Sequence, residues 1–319
     1  MKDRASLKDR ASLKDRALLK DRAPLKDRAP LKDRATIEAR VLSVLRPIVI
    51  IVLLIATLFP FLYMLLLSVR PIEQLLQDPG QLWIAPSEWT LSTYREVLTS
   101  VDNGGQGFLR FLANSAMVSL AATALTLLVA IPGAYAVSRL RFTGRRQVHF
   151  LFLSVYLFPS ILLAIPLFVL FTRLGLRGSL GGLILVYIAQ TVPVSIYMLR
   201  NYLSTIPESL EEAAAVDGYS RLQTLRKVVL PLAAPAVMAN ALYVFMIAWN
   251  EFLFALLFLV EDRADWTVSL GLAQLSGGIE VSKTVLMAGS VVLTLPIVII
   301  FFAAERLLTE GLTAGAEKG

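Results

Sequence analysis

The sequence predicts an all-α integral membrane protein with six transmembrane helices. Of its 319 residues, 56% are hydrophobic and only 17% are charged, whereas soluble domains carry about 25% charged residues. A helix needs about 20 apolar residues to cross about 30 Å of hydrocarbon, and six stretches are long enough. These predicted spans are residues 47–68, 113–138, 148–171, 181–200, 233–260 and 285–305. Membrane lipids are therefore expected to surround much of the chain.

A basic tail precedes the first predicted span. Residues 1–46 contain fourteen Lys and Arg against six Asp and one Glu, which accounts for the whole net charge of +7. The remaining residues sum to zero, so they offer no basic patch for nucleic acid. Lys-Asp-Arg-Ala recurs every six residues from Lys2 to Lys32, a spacing that gives the intervening leucines no common helical face. Because Pro24 and Pro30 would also break a helix, the tail is predicted to be disordered.

The distribution of Lys and Arg between the spans predicts the orientation, because positively charged residues concentrate on the cytoplasmic side. The tail, the 139–147 loop, residues 200–232 and the C-terminus hold twenty-four Lys and Arg, and the alternate segments hold seven. Both termini are therefore predicted to be cytoplasmic. The resulting organisation is a tail (1–46), a first span (47–68), an external loop (69–112), a core (113–305) with a cytoplasmic loop (201–232), and a C-terminal tail (306–319).

The cytoplasmic loop 201–232 is predicted to begin with a short helix. Pro207 suits the first position of a helix, and three alanines further on favour helix propagation. Gly218 can adopt the positive φ that ends many helices. Acidic residues are favoured near a helix N-terminus by its dipole, and the early turns here contain Glu208, Glu211 and Glu212.

A second short helix is predicted to follow in the same loop. Ser220 with Gln223 forms a capping-box pattern that opens it, and Pro231 is predicted to end it. The loop is therefore a helix-turn-helix beneath the membrane. From these residues alone, two interpretations are equally open: the loop packs on its own bundle, or it docks onto a partner.

The composition excludes several classes of chemistry. The chain has no Cys and a single His, His149, so neither a thiolate site nor a multi-His metal site can form. No GxxxxGK[ST] loop for nucleotide phosphates is present. We therefore expect no catalytic residue, no metal site and no cofactor in this chain. A secondary transporter would need buried charge pairs or internal repeats, and a membrane-embedded hydrolase would need a Ser/Lys or paired-Asp site; neither pattern is visible.

Three polar residues within or at the ends of the spans are candidates for a substrate pathway. Asn250 and Glu251 lie near the outer end of the fifth span, and Gln190 lies within the fourth. Polar groups in the membrane are costly and often functional. The alternative is that they form hydrogen bonds between helices, as such side chains commonly do.

The stretch EAAAVDG at 212–218, followed by Leu230-Pro231, resembles the EAA loop of ABC importer permeases. In that family the loop is a coupling helix that sits in a cleft of the ATP-hydrolysing subunit. Tyr219 departs from the family pattern, which more often has a small residue there. The resemblance implies an ATPase-coupling role for Glu212, Ala213, Ala214, Asp217 and Gly218.

The resemblance extends from about residue 47 to the end of the chain. Residues 114–146, 182–202 and 248–258 resemble the carbohydrate-type permeases, and the ending GLTAGAEKG is similar to the smaller permease subunit of maltose/trehalose-type transporters. By this resemblance the 261–284 loop contacts a solute-binding protein. The C-terminal residues implied to contact the ATPase are Gly311, Ala314, Gly315 and Lys318.

The resemblance implies a type I ABC importer permease fold and a transport function. Such a chain is not an enzyme; it works in a bacterial or archaeal inner membrane with a second permease subunit, two ATPase subunits that bind ATP and Mg, and an external solute-binding protein. The implied substrate is a sugar. A polyol, a glycosylated osmolyte or a glycerol phosphoester is the alternative, and the sequence does not separate them.

Overall fold

The structure is a computed structural model that describes residues 31–78, 80–81, 83–277 and 282–316. Residues 306–316 are described by their backbone alone. The chain divides into two compact units, residues 1–61 and 62–319. All regular secondary structure in the described residues is helical, which confirms the predicted fold class.

The helices differ widely in length. In chain order they are α1 Leu31–Ser68, α2 Ile72–Gln77, α3 Ser92–Leu98, α4 Phe108–Arg139, α5 Arg145–Leu157, α6 Ala164–Arg173, α7 Leu180–Leu203, α8 Ser209–Val216, α9 Arg221–Thr224, α10 Leu230–Leu232, α11 Ala234–Asn250, α12 Leu253–Leu259, α13 Val268–Gly277 and α14 Lys283–Ala316. A π-helical turn, Leu225–Val229, separates α9 from α10. Short 3₁₀ turns cover Pro86–Glu88, Val101–Asn103, Ser160–Leu163 and Arg263–Asp265.

Helix α1 begins earlier than the sequence predicted. It starts at Leu31, whereas the first span was expected to start at residue 47 after a disordered tail. The earlier start agrees with the composition of residues 31–46, which contain no proline except at the boundary that follows them and several Ala, Leu and Arg residues that favour helix. The disorder of the tail stays a prediction. Residues 1–30 lie outside the described residues.

Four helices of the described chain are long and apolar enough to cross a membrane. They are Val41–Ser68, Phe108–Arg139, Leu180–Leu203 and Lys283–Glu305. A fifth span results if Arg221–Leu232 and Ala234–Asn250, which meet at 80°, are taken together. Two of the six predicted spans are therefore not single straight helices.

The third predicted span, 148–171, is interrupted by Pro159. Helix α5 ends at Leu157, and Phe158 has an extended backbone with φ −79° and ψ 125°. A proline ring disfavours the helical conformation in the residue before it and removes one backbone donor. A 3₁₀ turn over Ser160–Leu163 then leads into α6.

The fifth predicted span, 233–260, is interrupted at Glu251. Helix α11 ends at Asn250, Glu251 is extended with φ −65° and ψ 131°, and α12 starts at Leu253. The Glu251 carboxylate accepts hydrogen bonds from the backbone N–H groups of Phe254 and Ala255. A side chain that caps the next helix in this way competes with continuation of the previous one.

Helices α4 and α7 pack closely along their lengths. The face that α4 buries is lined by small residues at helical spacing: Ser115, Ser119, Ala122, Thr126, Ala130 and Ala134. The Thr126 hydroxyl is 2.8 Å from that of Thr191 on α7. Between membrane helices, small side chains permit close backbone approach and hydroxyls form hydrogen bonds across the interface. This pair forms the centre of the second unit.

The second unit has two ends, and each collects the segments that the sequence placed on one side of the membrane. At one end, Asn114 donates to the Ala264 and Trp266 carbonyls at 2.9 and 3.0 Å, and Arg177 bonds Glu261 at 2.5 Å. At the other end, residues from the 139–147 and 201–232 loops are bonded together, as described below. The contacts therefore agree with the predicted alternation of loops.

Candidate functional site

The candidate site is an arm, residues 207–232, that connects α7 to α11. Its first helix, α8, ends in a Schellman motif: the Tyr219 N–H donates to the Ala214 carbonyl at 3.0 Å, and the Gly218 N–H to the Ala215 carbonyl at 3.1 Å. Gly218 has φ +82°, which confirms its predicted role. The helix begins at Ser209, two residues after the predicted start at Pro207.

The second half of the arm opens with the predicted capping box. The Ser220 N–H donates to Gln223 Oε1 at 2.8 Å, and the Gln223 N–H donates to Ser220 Oγ at 3.4 Å. The second helical segment of the arm does not end at Pro231 as predicted. It continues to Leu232 and then bends by 80° into α11. Because a proline ring clashes with the carbonyl four residues earlier, Pro231 accounts for the wider π-helical turn just before it.

The arm has one packed face and one exposed face. The packed face includes Ala214, Leu225 and Val229, which are 4%, 7% and 0% exposed; the last two join an apolar cluster with the neighbouring ends of α4 and α7. On the other face, Val216 is 88% exposed and Leu222 is 61% exposed. The arm therefore packs on its own bundle with one face and presents apolar side chains outward on the other, and its docking onto a partner stays a prediction.

The five residues assigned to ATPase coupling divide between these faces. Glu212, Ala213, Asp217 and Gly218 are exposed, and Ala214 is buried. Ala214 is therefore placed to pack the arm against its own protein, whereas the other four residues are open to solvent. The coupling role itself stays a prediction.

A buried ion pair fixes the arm to the end of α4. Arg139 Nε donates to Glu211 Oε1 at 2.5 Å, and the Tyr135 hydroxyl donates to Glu211 Oε2 at 2.7 Å. Tyr135 and Arg139 are four residues apart in the last turns of α4, so they lie on one helix face. We call these three residues the clamp.

Arg139 also bonds the end of α7. Its Nη2 atom donates to the Leu203 carbonyl at 2.9 Å and to the Ile206 carbonyl at 2.6 Å. The last carbonyls of a helix lack partners within it, and a cation there is favoured by the helix dipole. Arg139 thus joins α4, α7 and α8 through one guanidinium, which has several donors in a rigid plane.

The clamp is largely removed from solvent. The side chains of Arg139 and Glu211 are 9% and 14% exposed, whereas Glu208, which lies 3.7 Å from Arg139 Nη1, is 74% exposed. In the sequence, Arg139 contributes to the predicted orientation and Glu211 to the favourable helix dipole, and neither pattern predicted their contact. The i, i+4 spacing of Tyr135 and Arg139 was the only local signal.

Glu251 is a candidate for the substrate pathway, and both of its carboxylate oxygens accept hydrogen bonds from within the protein. Its Oε2 atom accepts from the hydroxyl of Tyr187 at 2.7 Å and from the Ala255 N–H at 3.1 Å, and Oε1 accepts from the Phe254 N–H at 2.8 Å. Its own carbonyl accepts from Ser269 Oγ at 2.6 Å. This geometry supports the alternative interpretation, in which Glu251 joins helices and caps α12.

The other two pathway candidates are differently placed. Asn250 is exposed, and its Nδ2 donates to the Met246 carbonyl of its own helix at 2.9 Å. Gln190 is half-buried on α7, three residues after Tyr187. The three candidates therefore share a region around Tyr187 and the end of α11, and their pathway role stays a prediction.

The opposite end of the second unit contains an open cavity. It has a volume of about 580 Å³, and Leu98, Leu109, Arg110 and Arg263 are among its lining residues. The cavity lies between the 69–112 and 261–284 segments, where Arg110 Nε donates to the Ala264 carbonyl at 2.8 Å and Arg263 Nη2 to the Gln106 carbonyl at 3.2 Å. The structure thus brings both predicted external loops to one surface.

The remaining expectations concern the C-terminus and metals. Gly311, Ala314 and Gly315 lie in the last turns of α14, and Lys318 lies outside the described residues. Within the part of the chain that the structure describes, no group of three or more His, Asp or Glu residues is arranged to hold a metal ion.

The long apolar helices and the projecting arm define a multispanning membrane protein, and comparison with known proteins gives its family. Residues 127–313 match the family described as "binding-protein-dependent transport system inner membrane component". The chain belongs to this family of inner membrane transport components.

Relatives cover nearly the whole chain. An inner membrane ABC transporter permease protein of Escherichia coli is 38% identical over 266 residues, which cover 83% of this chain and 93% of the relative. The trehalose/maltose transport system permease protein of Thermococcus litoralis is 38% identical over 84% of this chain and 94% of its own length. The trehalose transport system permease protein of Mycobacterium tuberculosis is 36% identical, with coverage of 82% and 93%.

Solved structures agree with this assignment. A chain of a bacterial ABC transporter for import of the acidic polysaccharide alginate superposes with a TM-score of 0.73 and 25% identity, covering 84% of this chain and 97% of that chain. A chain of the MetNI methionine ABC transporter, at 20% identity, shares the fold with a TM-score of 0.53. The fold is therefore that of ABC importer permeases.

Proposed function

We propose that this chain is the permease subunit of an ATP-driven, binding-protein-dependent sugar importer. It forms half of the translocation pathway and couples that pathway to a separate ATPase. The observation that carries the proposal is the arm: its inner face is fixed to α4 and α7, and its outer face exposes Val216 and Leu222 to a partner. Two large apolar side chains that are exposed outside the membrane-spanning helices are candidates for a protein interface.

The transporter is proposed to contain four kinds of component. This chain pairs with a second permease, two ATPase subunits supply ATP and Mg binding, and a solute-binding protein docks on the external side. The arm supports the ATPase contact. The cavity between the 69–112 and 261–284 segments supports docking at the other end, because it leaves Arg110 exposed beside apolar residues.

The substrate is proposed to be a sugar, because relatives named for trehalose and maltose transport cover more than four fifths of the chain. Other relatives are named for sulfoquinovosyl glycerol and for osmoprotective compounds, at 36% and 32% identity. A polyol, a glycosylated osmolyte or a glycerol phosphoester therefore stays the alternative substrate class. Screening the solute-binding protein by thermal shift separates these classes.

The location is proposed to be the inner membrane with both termini in the cytoplasm. The excess of Lys and Arg in the 139–147 and 201–232 loops supports this orientation. The arm, which carries the proposed ATPase contact, then lies on the side where ATP is available.

Two single-cysteine variants of α8 test the ATPase contact. Ala213 is exposed and Ala214 is buried, so in the assembled transporter Ala213→Cys is expected to cross-link to the ATPase subunit and Ala214→Cys is not. The chain has no native cysteine, so each variant carries one reactive thiol in this subunit. Cross-linked product is measured by gel and mass spectrometry. Absence of a cross-link at position 213 in a complex that still transports would overturn the coupling assignment.

A further inference from the structure

Two covalent routes lead from α8 to the membrane helices. One runs back through residues 204–208 to α7, and the other runs forward to α11. The forward route contains the π-helical turn Leu225–Val229, Pro231 and the 80° bend before α11. Each of these interrupts the regular α-helical hydrogen-bond ladder. A displacement of α8 therefore reaches α11 through this interrupted segment and not through a continuous helix.

The clamp adds a non-covalent route from α8 to α4. Glu211 lies in the first turn of α8, and both of its carboxylate oxygens are bonded to α4, one by Tyr135 and one by Arg139. The covalent chain provides no such short connection, because α4 and α8 are separated by more than sixty residues of sequence. The clamp is thus the short mechanical link between α8 and α4.

The chemistry of the clamp makes this link stiff. Charge-assisted hydrogen bonds are stronger than neutral ones, and low solvent exposure limits their screening by water and salt. The side chains of Arg139 and Glu211 are largely buried, and Arg139 is additionally held by the carbonyls of Leu203 and Ile206. Moving α8 away from α4 would leave the buried carboxylate of Glu211 without its hydrogen-bond partners. We therefore expect α4 and α8 to move together.

We infer that Arg139 and Glu211 are positioning residues that carry the displacement of α8 to α4 and α7 during transport. This inference rests on the proposed function, in which an ATPase moves α8. It differs from the ATPase contact itself, because the clamp residues face the protein's own helices and the exposed residues of α8 face the partner. The displacement of α8 is then passed to helices α4 and α7, which pack together at the centre of the second unit.

Replacing both residues, in the variant Arg139→Cys/Glu211→Cys, tests the link. Removing both charges leaves no unpaired buried ion, which limits the folding penalty. In the assembled transporter reconstituted with its binding protein, uptake is expected to fall about tenfold, within the usual range of coupling between sites, while ATP hydrolysis continues. The number of ATP molecules hydrolysed per solute therefore rises. A short bifunctional thiol reagent that joins the two cysteines is expected to restore uptake.

The variant Arg177→Cys is the control. It removes the arginine of an Arg–Glu pair at the opposite end of the unit, whose side chains are 30% and 69% exposed, and because Arg177 lies outside the loops proposed to contact partners, uptake is expected to stay unchanged. Glu211→Gln is a second test if the double variant assembles poorly, because it keeps the shape of the side chain and removes its charge. It is expected to raise the same ATP-to-solute ratio by a smaller factor.

Two results would overturn the inference. One is that uptake and ATP hydrolysis fall in proportion, which indicates a purely structural clamp. The other is that uptake persists without the clamp, which indicates that the covalent connections of α8 to α7 and α11 are sufficient. Cross-linking of Ala213→Cys to the ATPase, measured in parallel, separates these results from failure of the proposed function, which would also remove that cross-link.

Discussion

Arg139→Ala is expected to be one of the most destabilising single substitutions in the chain. Removing one partner of a buried, hydrogen-bonded ion pair typically costs about 3–5 kcal/mol, because the other charge stays buried without compensation. Here Glu211 would lose its ion partner, and the Leu203 and Ile206 carbonyls would lose their donor. The free energy of unfolding of the purified chain, measured by SDS titration in mixed micelles, reports the change.

Arg177→Ala is the matched control for this substitution. Arg177 bonds Glu261 at the same 2.5 Å distance, but the pair is partly exposed to solvent. Exposed ion pairs contribute about 0–1 kcal/mol, so the control is expected to change the unfolding free energy by no more than that. Equal effects of the two substitutions would show that the clamp is not a desolvated ion pair.

Glu251→Leu is expected to destabilise the chain by about 3 kcal/mol, from the loss of a helix cap and of acceptors for buried donors. The N–H groups of Phe254 and Ala255 would lose their carboxylate partner. Tyr187, which is 0% exposed, would lose the acceptor for its hydroxyl. The same SDS titration measures this effect.

The Glu251 series also separates a structural role from a pathway role. Glu251→Gln keeps one acceptor oxygen, so it is expected to lower stability less than leucine and to leave the apparent KM for uptake unchanged. Glu261→Leu, at a residue that is 69% exposed, is the control for loss of a glutamate. If Glu251→Gln raised the KM strongly while stability stayed intact, Glu251 would line the substrate pathway.

Features that depend on neighbouring residues were predictable from the sequence. Gly218 and the Ser220–Gln223 pair act through hydrogen bonds within a few residues, so their motifs indicate their structure directly. The long apolar spans 113–138 and 181–200 were predictable for a similar reason, because membrane thickness sets the length of a spanning helix. These elements define the fold class and the position of the arm.

The interruptions of two spans were not predicted from average hydropathy. Residues 148–171 and 233–260 are apolar throughout most of their length, yet Pro159 and the capping carboxylate of Glu251 break them. Average hydropathy describes how favourable it is to transfer a segment into lipid. It carries no information on whether the backbone hydrogen bonds of a helix continue. Only the identity of these two residues gave a local signal.

The clamp and the orientation of the alanines required the tertiary structure. Arg139 and Glu211 are distant in sequence, and their contact depends on how closely α4 and α7 pack through small side chains. The sequence contains three consecutive alanines in α8 but does not indicate which of them turns inward. The rotation of the helix buries Ala214 and exposes Ala213, and this distinction makes the cross-linking test specific.

We expect this chain to move solute only as part of an ATP-driven transporter. The most direct test purifies the tagged chain with its associated subunits, reconstitutes the complex in liposomes and measures uptake of the sugar that the binding protein recognises. We predict uptake that requires both ATP and the solute-binding protein. Uptake by the chain alone, without ATP and driven by an ion gradient, would contradict the account and indicate a secondary transporter.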